Sequence, residues 1–287
     1  HNLVDHVIFS PRVNVRFNPS EAVNLRVSYA GGYRAPQAFD EDMHIAIVGG
    51  KRVRIRLADD LREERSHSVS LSADLYHTFG KVQTNLLVEG FYTILDDVFA
   101  LRDMDDAADG GKVKERYNGS GATVRGFNVE GRAAFTRWFE LQAGVTLQQS
   151  RYKEPEFWSE DAEVPPVRRM FRTPDAYGYF TASFKPVRNF TADLSGTCTG
   201  SMLVQHMAGS GVAQDVAVST PSFFDMNIRL SYDVRIYKEI TMQLYGGVQN
   251  LFNAYQKDFD KGVDRDSGYI YGPSLPRSWF VGAKFSF

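Results

Sequence analysis

The stretch Phe224-Asp-Met-Asn-Ile-Arg-Leu-Ser-Tyr-Asp-Val-Arg-Ile236 decides how the whole chain is read. Its even positions are apolar: Phe224, Met226, Ile228, Leu230, Tyr232, Val234 and Ile236. Its odd positions are polar or charged: Asp225, Asn227, Arg229, Ser231, Asp233 and Arg235. A strict period of two marks a β-strand with two unlike faces. A tilted strand of about 9–11 residues crosses a bilayer, and this one is longer. Alternation alone leaves open which face is wet. A soluble barrel turns the apolar face inward, whereas a membrane barrel turns it to lipid.

The same period recurs from end to end. Working outward, it predicts strands over 7–17, 22–33, 66–78, 82–102, a segment ending near 135, 138–152, 175–185, 190–204, 240–250 and 277–287. With the opening stretch that makes eleven strands. Short turns are expected near 18–21, 79–81, 136–137, 186–189 and 237–239. Long loops are expected near 34–65, 103–113, 153–174, 205–220 and 251–276. Consecutive antiparallel strands place every short turn at one end and every long loop at the other. A soluble sandwich has no physical reason for that asymmetry, but an outer-membrane barrel has one. Aromatics near strand ends, such as Phe135, Trp138, Phe184, Phe190, Tyr237 and Trp279, suit a headgroup zone. Eleven is odd and single-chain antiparallel barrels close with even numbers, so the expected fold is all-β, an antiparallel transmembrane β-barrel present in part.

The composition is consistent with this. The chain has 287 residues, with 33 basic and 35 acidic side chains, so no charge excess points to nucleic acid. No run approaches 18 consecutive apolar residues, which excludes a transmembrane helix and says nothing against a barrel. The single cysteine, Cys198, allows no internal disulfide. The chain opens at His1 without a basic or apolar leader, and reads as an internal start within something longer. No Gly-x-Ser-x-Gly, His-Glu-x-x-His or phosphate loop is present, so no enzyme activity and no cofactor are expected.

Several stretches resemble TonB-dependent outer-membrane receptors. Gly32-Tyr-Arg-Ala-Pro36 is similar to the family's "GFRAP" box. Leu57-Ala-Asp-Asp-Leu-Arg-Glu-Glu64, leading into Ser66-His-Ser-Val-Ser-Leu71, resembles its "NPDLKPE" box and serine-rich strand. Val248-Gln-Asn-Leu-Phe-Asn253 resembles its "NLFN", and Pro276–Phe287 its terminal strand ending in Phe. The resemblance spans the chain. It implies the last eleven strands of a 22-stranded barrel, so that residues 1–287 are the C-terminal barrel part, with the plug domain and N-terminal strands absent from this sequence. It further implies a Gram-negative outer-membrane transporter importing a scarce metal chelate, a ferric siderophore first. Its partners would be the TonB complex, reached through the missing N-terminal plug, the iron chelate and outer-membrane lipid, with no nucleic acid. A haem or cobalamin receptor, a passive porin-like barrel and a soluble β-binding module are the other readings.

Candidate ligand-binding residues sit in the long loops and on the polar stripe. Arg34 lies inside the first box. His44 falls between the two boxes, where haem-uptake members carry an iron-ligating His, and imidazole suits haem iron. Residues 45–55 read as a small hairpin turning at Gly49-Gly50, with Arg52, Arg54 and Arg56 alternating on one face, a pattern able to meet an anionic chelate. Asp103, Asp105, Asp106 and Asp109 offer oxygen ligands without the spacing of a specific metal loop. Met202, His206 and Met207 cluster at a strand end, and Tyr177 and Tyr179 fall on the polar stripe, where they can stack on an aromatic ligand.

Overall fold

The computed structural model describes residues 6–36, 53–104, 112–159, 161–273 and 275–286. Among them there is no helix, and the strands form one main sheet and two small ones. The main path is β1 (Arg12–Ser20), β2 (Val23–Arg34), β4 (Glu64–Phe79), β5 (Val82–Asp96), β8 (Ala122–Ala134), β9 (Phe139–Glu156), β11 (Ala176–Phe184), β12 (Phe190–Thr199), β15 (Phe223–Tyr237), β16 (Ile240–Gln249) and β17 (Ser278–Ser286). These are the eleven strands expected from the alternation, each hydrogen-bonded antiparallel to the next. β10 (Val167–Arg169) adds to the loop end of β9. The path is open, with β1 and β17 at its two edges.

The short connections are Glu21-Ala22, Gly80-Lys81, 135–138, 185–189 and Lys238-Glu239, all at one end. The first turn lies later than expected. Asn18-Pro19-Ser20 stays in β1, and a register irregularity between Phe17 and Ser20 accommodates the proline, which cannot donate to the ladder. Gly80 (φ 62°), Asn189 (φ 70°) and Lys238 (φ 46°) supply the left-handed residues that such tight reversals require.

The register places the apolar residues of every wall strand side by side. One row runs Phe127–Leu147, another Ala192–Leu230–Gly246–Val281. No second layer covers this face: Leu230 is 47 % exposed, Phe127 64 % and Val281 90 %. Among the described residues the buried hydrophobic ones are only Ala58, Ala122, Val164, Val204 and Tyr269, so the wall has no apolar core of its own. Met226, Ile228, Leu230 and Val281 thus do not pack into a dry centre. The opposite face is polar, and it is the concave one. Ser28 of β2 and Tyr177 of β11 line one recess of about 400 Å³ although five strand steps separate them. In a flat sheet those strands would stand roughly 24 Å apart.

Two expected strands are broken. The predicted strand 82–102 divides into β5 and β6 (Phe99–Met104) at Asp97, whose φ is 55°. Its neighbour divides into β7 (Lys112–Asn118) and β8 at Gly121, φ 86°. A Cβ at Gly121 would sit 2.4 Å from the Leu95 carbonyl oxygen, so the close approach needs glycine. The two breaks face each other, joined by Asn118 Nδ2 donating to the Asp97 carbonyl (2.7 Å) and Gly119 N–H to that of Val98 (2.7 Å). Beyond them β6 and β7 leave the wall, and β3 (Val53–Leu57) pairs with β7 in parallel. A further hairpin, β13 (Leu203–His206) with β14 (Val216–Ser219), stands in another long connection.

Candidate functional site

The polar face of the wall carries several hydrogen-bonded clusters. Tyr179 donates to Glu130 at 2.6 Å, and Gln142 donates to Glu130 (2.8 Å) and to the Tyr179 oxygen (3.1 Å). Thr146 donates to Asn128 (2.8 Å), which donates to Glu89 (3.0 Å). Further along, Ser183 donates to Asp193 (2.6 Å), and Gln243 to Asp233 (2.9 Å). Arg229 donates to Gln243 (3.2 Å) and lies 4.6 Å from the centroid of the Tyr245 ring. Carboxylates this numerous need hydrogen bonds and water, so the concave face is the wet one. Gly144 makes the Tyr179 geometry possible: a Cβ there would stand 2.7 Å from Tyr179 Cε1.

The recess on this face is lined by Ser28, Ser68, Ser70, Phe91, Thr93 and Tyr177. Ser68 and Thr93 share a hydrogen bond of 2.8 Å. Tyr177 is 42 % exposed there, with its ring available for stacking on a planar ligand. With Glu89, Asn128 and Gln148 also in its lining, the recess presents hydroxyls, amides and one carboxylate around two aromatic rings, able to hold a polar group from several sides.

At the loop end the chain builds a tier above the wall. In the extension, Arg116 is 1 % exposed, with its guanidinium 5.8 Å from the Phe99 ring centroid. Arg102 pairs with Glu115 (2.5 Å), and Arg65 with Glu63 (2.6 Å). Burial raises the Glu63 carboxyl, but the hydrogen bond from Arg65 and the other donors around it outweigh this and hold it below its usual range. Arg34 lies 3.6 Å from Glu64 and 5.6 Å from the Phe99 ring centroid, so it ties β2 to the extension. Arg54 lies in β3 opposite Val113, and Arg56 stands 3.8 Å from Asp59. Asp103 lies in β6 opposite Lys114. His44, Arg52, Asp105, Asp106, Asp109 and the Gly49-Gly50 turn lie outside the described residues. No His, Cys, Asp and Glu cluster able to hold a metal occurs among the described residues.

A second knot joins the connections 157–175, 200–222 and 250–277. His206 is buried, 3.0 Å from Asp260, and stacks on Tyr269 with ring centroids 3.6 Å apart. Tyr269 and Tyr271 donate to the two oxygens of Asp258 at 3.0 and 2.6 Å. Burial and the Asp258 charge push the Tyr269 phenol up to about 12, and Tyr271 moves the same way for the same causes. Burial opposes ionisation of Asp258, but the two phenol hydrogen bonds prevail and hold it below the usual carboxylate range. Arg172 donates to the carbonyls of Ile270 (2.7 Å) and Gly268. His206, read as part of a strand-end cluster able to touch a ligand, is a structural member of this knot, whereas Met202 and Met207 make backbone contacts to Thr220 and Asp266. The sequence reading singled out none of Asp258, Asp260, Tyr269, Tyr271 or Arg172. The alternation of acids and aromatics over 258–271 was the available signal, without a period to give it meaning.

An open antiparallel wall, apolar outside and hydrogen-bonded inside, with its long connections gathered at one end, defines part of a membrane-type β-barrel. The sequence profile described as TonB dependent receptor-like, beta-barrel matches residues 4–251, and the chain belongs to that family. Among solved structures, it is similar to the ferric-catecholate import receptor Fiu from E. coli K12 (TM-score 0.61, 16 % identity, covering 95 % of this chain and 34 % of that one). It is similar to the ferric enterobactin receptor PfeA of Pseudomonas aeruginosa (TM-score 0.62, 16 % identity, 96 % and 39 %) and to the copper transporter OprC (TM-score 0.66, 12 % identity, 97 % and 39 %). The chain thus spans a little over a third of the length of these structures. No curated protein sequence matches it. The family and these neighbours are receptors and transporters of the β-barrel type.

Proposed function

We propose that residues 1–287 form the C-terminal barrel wall of a TonB-dependent transporter in a Gram-negative outer membrane, importing a scarce metal chelate, a ferric siderophore first. The observation that carries this is the inversion of the wall. Its apolar face has no covering layer, its concave face is polar, and the long connections share one end. Two of the structural neighbours are named as ferric-catecholate and ferric enterobactin receptors, which supports the cargo. In the complete receptor a plug would fill the lumen and couple to TonB, and the open edges would pair with further strands. Arg34, His44, Arg52, Arg54 and Tyr177 are the proposed ligand-side residues; of the described ones, Tyr177 lines the concave recess, Arg34 ends β2 and Arg54 lies in β3.

The test is growth of a deletion strain on defined iron sources. Loss of growth on a ferric catecholate, with haem and cobalamin uptake intact, supports the reading. Loss confined to haem or cobalamin moves the cargo to that ligand, and unaltered growth on all three leaves a passive pore. The copper transporter among the neighbours makes copper the further substrate to include.

A further inference from the structure

Basic side chains on the outer face are gathered mostly in one place. Along the eleven-strand path, the register puts five at the loop end, Arg65 and His67 of β4, Arg125 of β8, and Arg151 and Lys153 of β9, and one, His77 of β4, by the Gly80-Lys81 turn. The outer faces of β11, β12, β15, β16 and β17 carry none. Three of the five are already engaged: Arg65 with Glu63 (2.6 Å), Lys153 with Asp96, and His67 Nδ1 with the Tyr29 hydroxyl (2.8 Å). Arg125 meets only a neutral group, donating to Gln149 Oε1 at 2.8 Å. Arg151 is exposed and has no carboxylate partner among the described residues. Arg125 opposes Gln149 and Arg151 follows two residues on, so the two guanidinium groups are diagonal neighbours, with Cα atoms roughly 7–8 Å apart. Two planar forks at that spacing can hold one phosphate between them.

Directly below lies a shallow groove of about 650 Å³. Its sides are Val69 and Leu71 on one hand, Phe127 and Leu147 on the other, with Gly90 between them and Arg125 at the rim; the one acid in its lining, Asp175, is held by Arg169 at 3.0 Å. Gly90 keeps it open: no side chain fills the row, and the Phe127 ring edge is already 3.4 Å from where a Cβ would stand. An apolar channel ending at two uncompensated cations fits an acyl chain that carries a phosphate. A second copy of the chain fits poorly, because the acids it could bring among the described residues, Asp96 on the outer face of the path and Asp175 at the groove, are already held by Lys153 and Arg169.

We propose that this patch is a binding site for a phosphate-bearing, multiply acylated lipid of the outer leaflet. An acyl chain occupies the Gly90 groove and the phosphate sits between Arg125 and Arg151. The proposal rests on the membrane placement proposed above. The test is native mass spectrometry of the full-length receptor in detergent with lipid A, and with the same lipid dephosphorylated. Retention of lipid A about tenfold or more above the dephosphorylated form is expected, from two phosphate-directed arginines. Arg125→Ala/Arg151→Ala should bring retention down to the dephosphorylated level, and Gly90→Val should weaken it with both arginines present. Removing the same charge from the inner face, Arg16→Ala/Arg26→Ala, should leave it unchanged. Equal retention of the two lipids, full retention by the double variant, or displacement by excess inorganic phosphate overturns the proposal. Should the double variant fail to fold, the salt response of wild-type retention decides, since phosphate contacts weaken with salt and a flat response is a refutation. Failure of the receptor to insert into vesicles at all is a different result, and sinks the membrane placement instead.

Discussion

Leu230→Arg separates a lipid-facing wall from a water-facing one by magnitude. Leu230 is the middle outward residue of β15, flanked by Ala192 and Gly246, and is 47 % exposed. In water, exchanging a half-exposed Leu for Arg at a site with no special contact moves stability by about 0.5 kcal/mol or less. At the midplane of a bilayer the same exchange on the lipid face of a barrel costs about 2–4 kcal/mol. At 1.4 kcal/mol per tenfold, that is roughly 30- to 1,000-fold in the folding equilibrium. Depth supplies the internal control. Ile236 is also outward and exposed but lies by the Lys238-Glu239 turn, where a charge costs about 0–1 kcal/mol. The assay is reversible unfolding of the full-length receptor from phospholipid vesicles in denaturant, followed by tryptophan fluorescence. A Leu230→Arg protein within 0.5 kcal/mol of wild type, or one no worse than Ile236→Arg, would refute the assignment of the outer face to lipid.

Gly144→Leu should expel the Tyr179 ring from its place beside Glu130 and cost about 1–3 kcal/mol in thermal unfolding. In a Tyr179→Ala background the same change should be close to neutral, and equal costs in both backgrounds would count against the contact. Tyr269 has a folded-state pKa of about 12, above its ordinary value of 10.0. Its contribution to loop stability is therefore complete below pH 10 and lost as pH rises towards 12. Ultraviolet titration of Asp258→Asn should bring that phenol down, and an unchanged titration would show that burial alone sets it. Arg172→Ala removes both side-chain bonds to 268–270 and should speed proteolysis of the 250–277 connection without altering wall unfolding. Cysteines placed at Val15 and Val281, on the two edge strands, should not cross-link within one full-length receptor, and a disulfide between them would show self-closure.

The wall was legible because its information is local. In β4 exposure alternates over Glu64–Ser72, as the sequence alternates, and a one-residue slip would bring every outer side chain inside. The departure of β6 and β7 was not legible, because the chain keeps a strand-like composition through Val98. The bend is made by the backbone, at an aspartate with φ 55° and a glycine with φ 86° that lie far apart in sequence. The parallel pairing of β3 with β7 is equally non-local and has no periodic signature. For the candidate site the same division holds. Tyr177 could be placed on the concave face because it keeps the polar register of β11, aromatic though it is. The structural role of His206 was not legible, because nothing near it names its partner and Asp260 is 54 residues away. Loop tiers are built from such distant pairs, so the wall can be read from sequence while the grip on the cargo cannot.

The direction of the edge strands connects the wall to its solvent. β1 runs toward the short turns, and after the successive reversals of an eleven-strand path so does β17. Joining them would set two strands running the same way side by side, against the antiparallel pairing found at every other step of the path. Parallel pairing is also slightly weaker per residue. Left open, β1 exposes every residue and offers a row of unpaired N–H and C=O groups. In water such an edge is a site of association; in hydrocarbon each unpaired group costs several kcal/mol. The apolar outer face and the open edges therefore make one demand. If the face meets lipid, both edges must be paired, and by strands running the opposite way at each seam. A run of strands that begins and ends in the same direction is odd in number, and odd added to eleven gives the even count with which antiparallel barrels close.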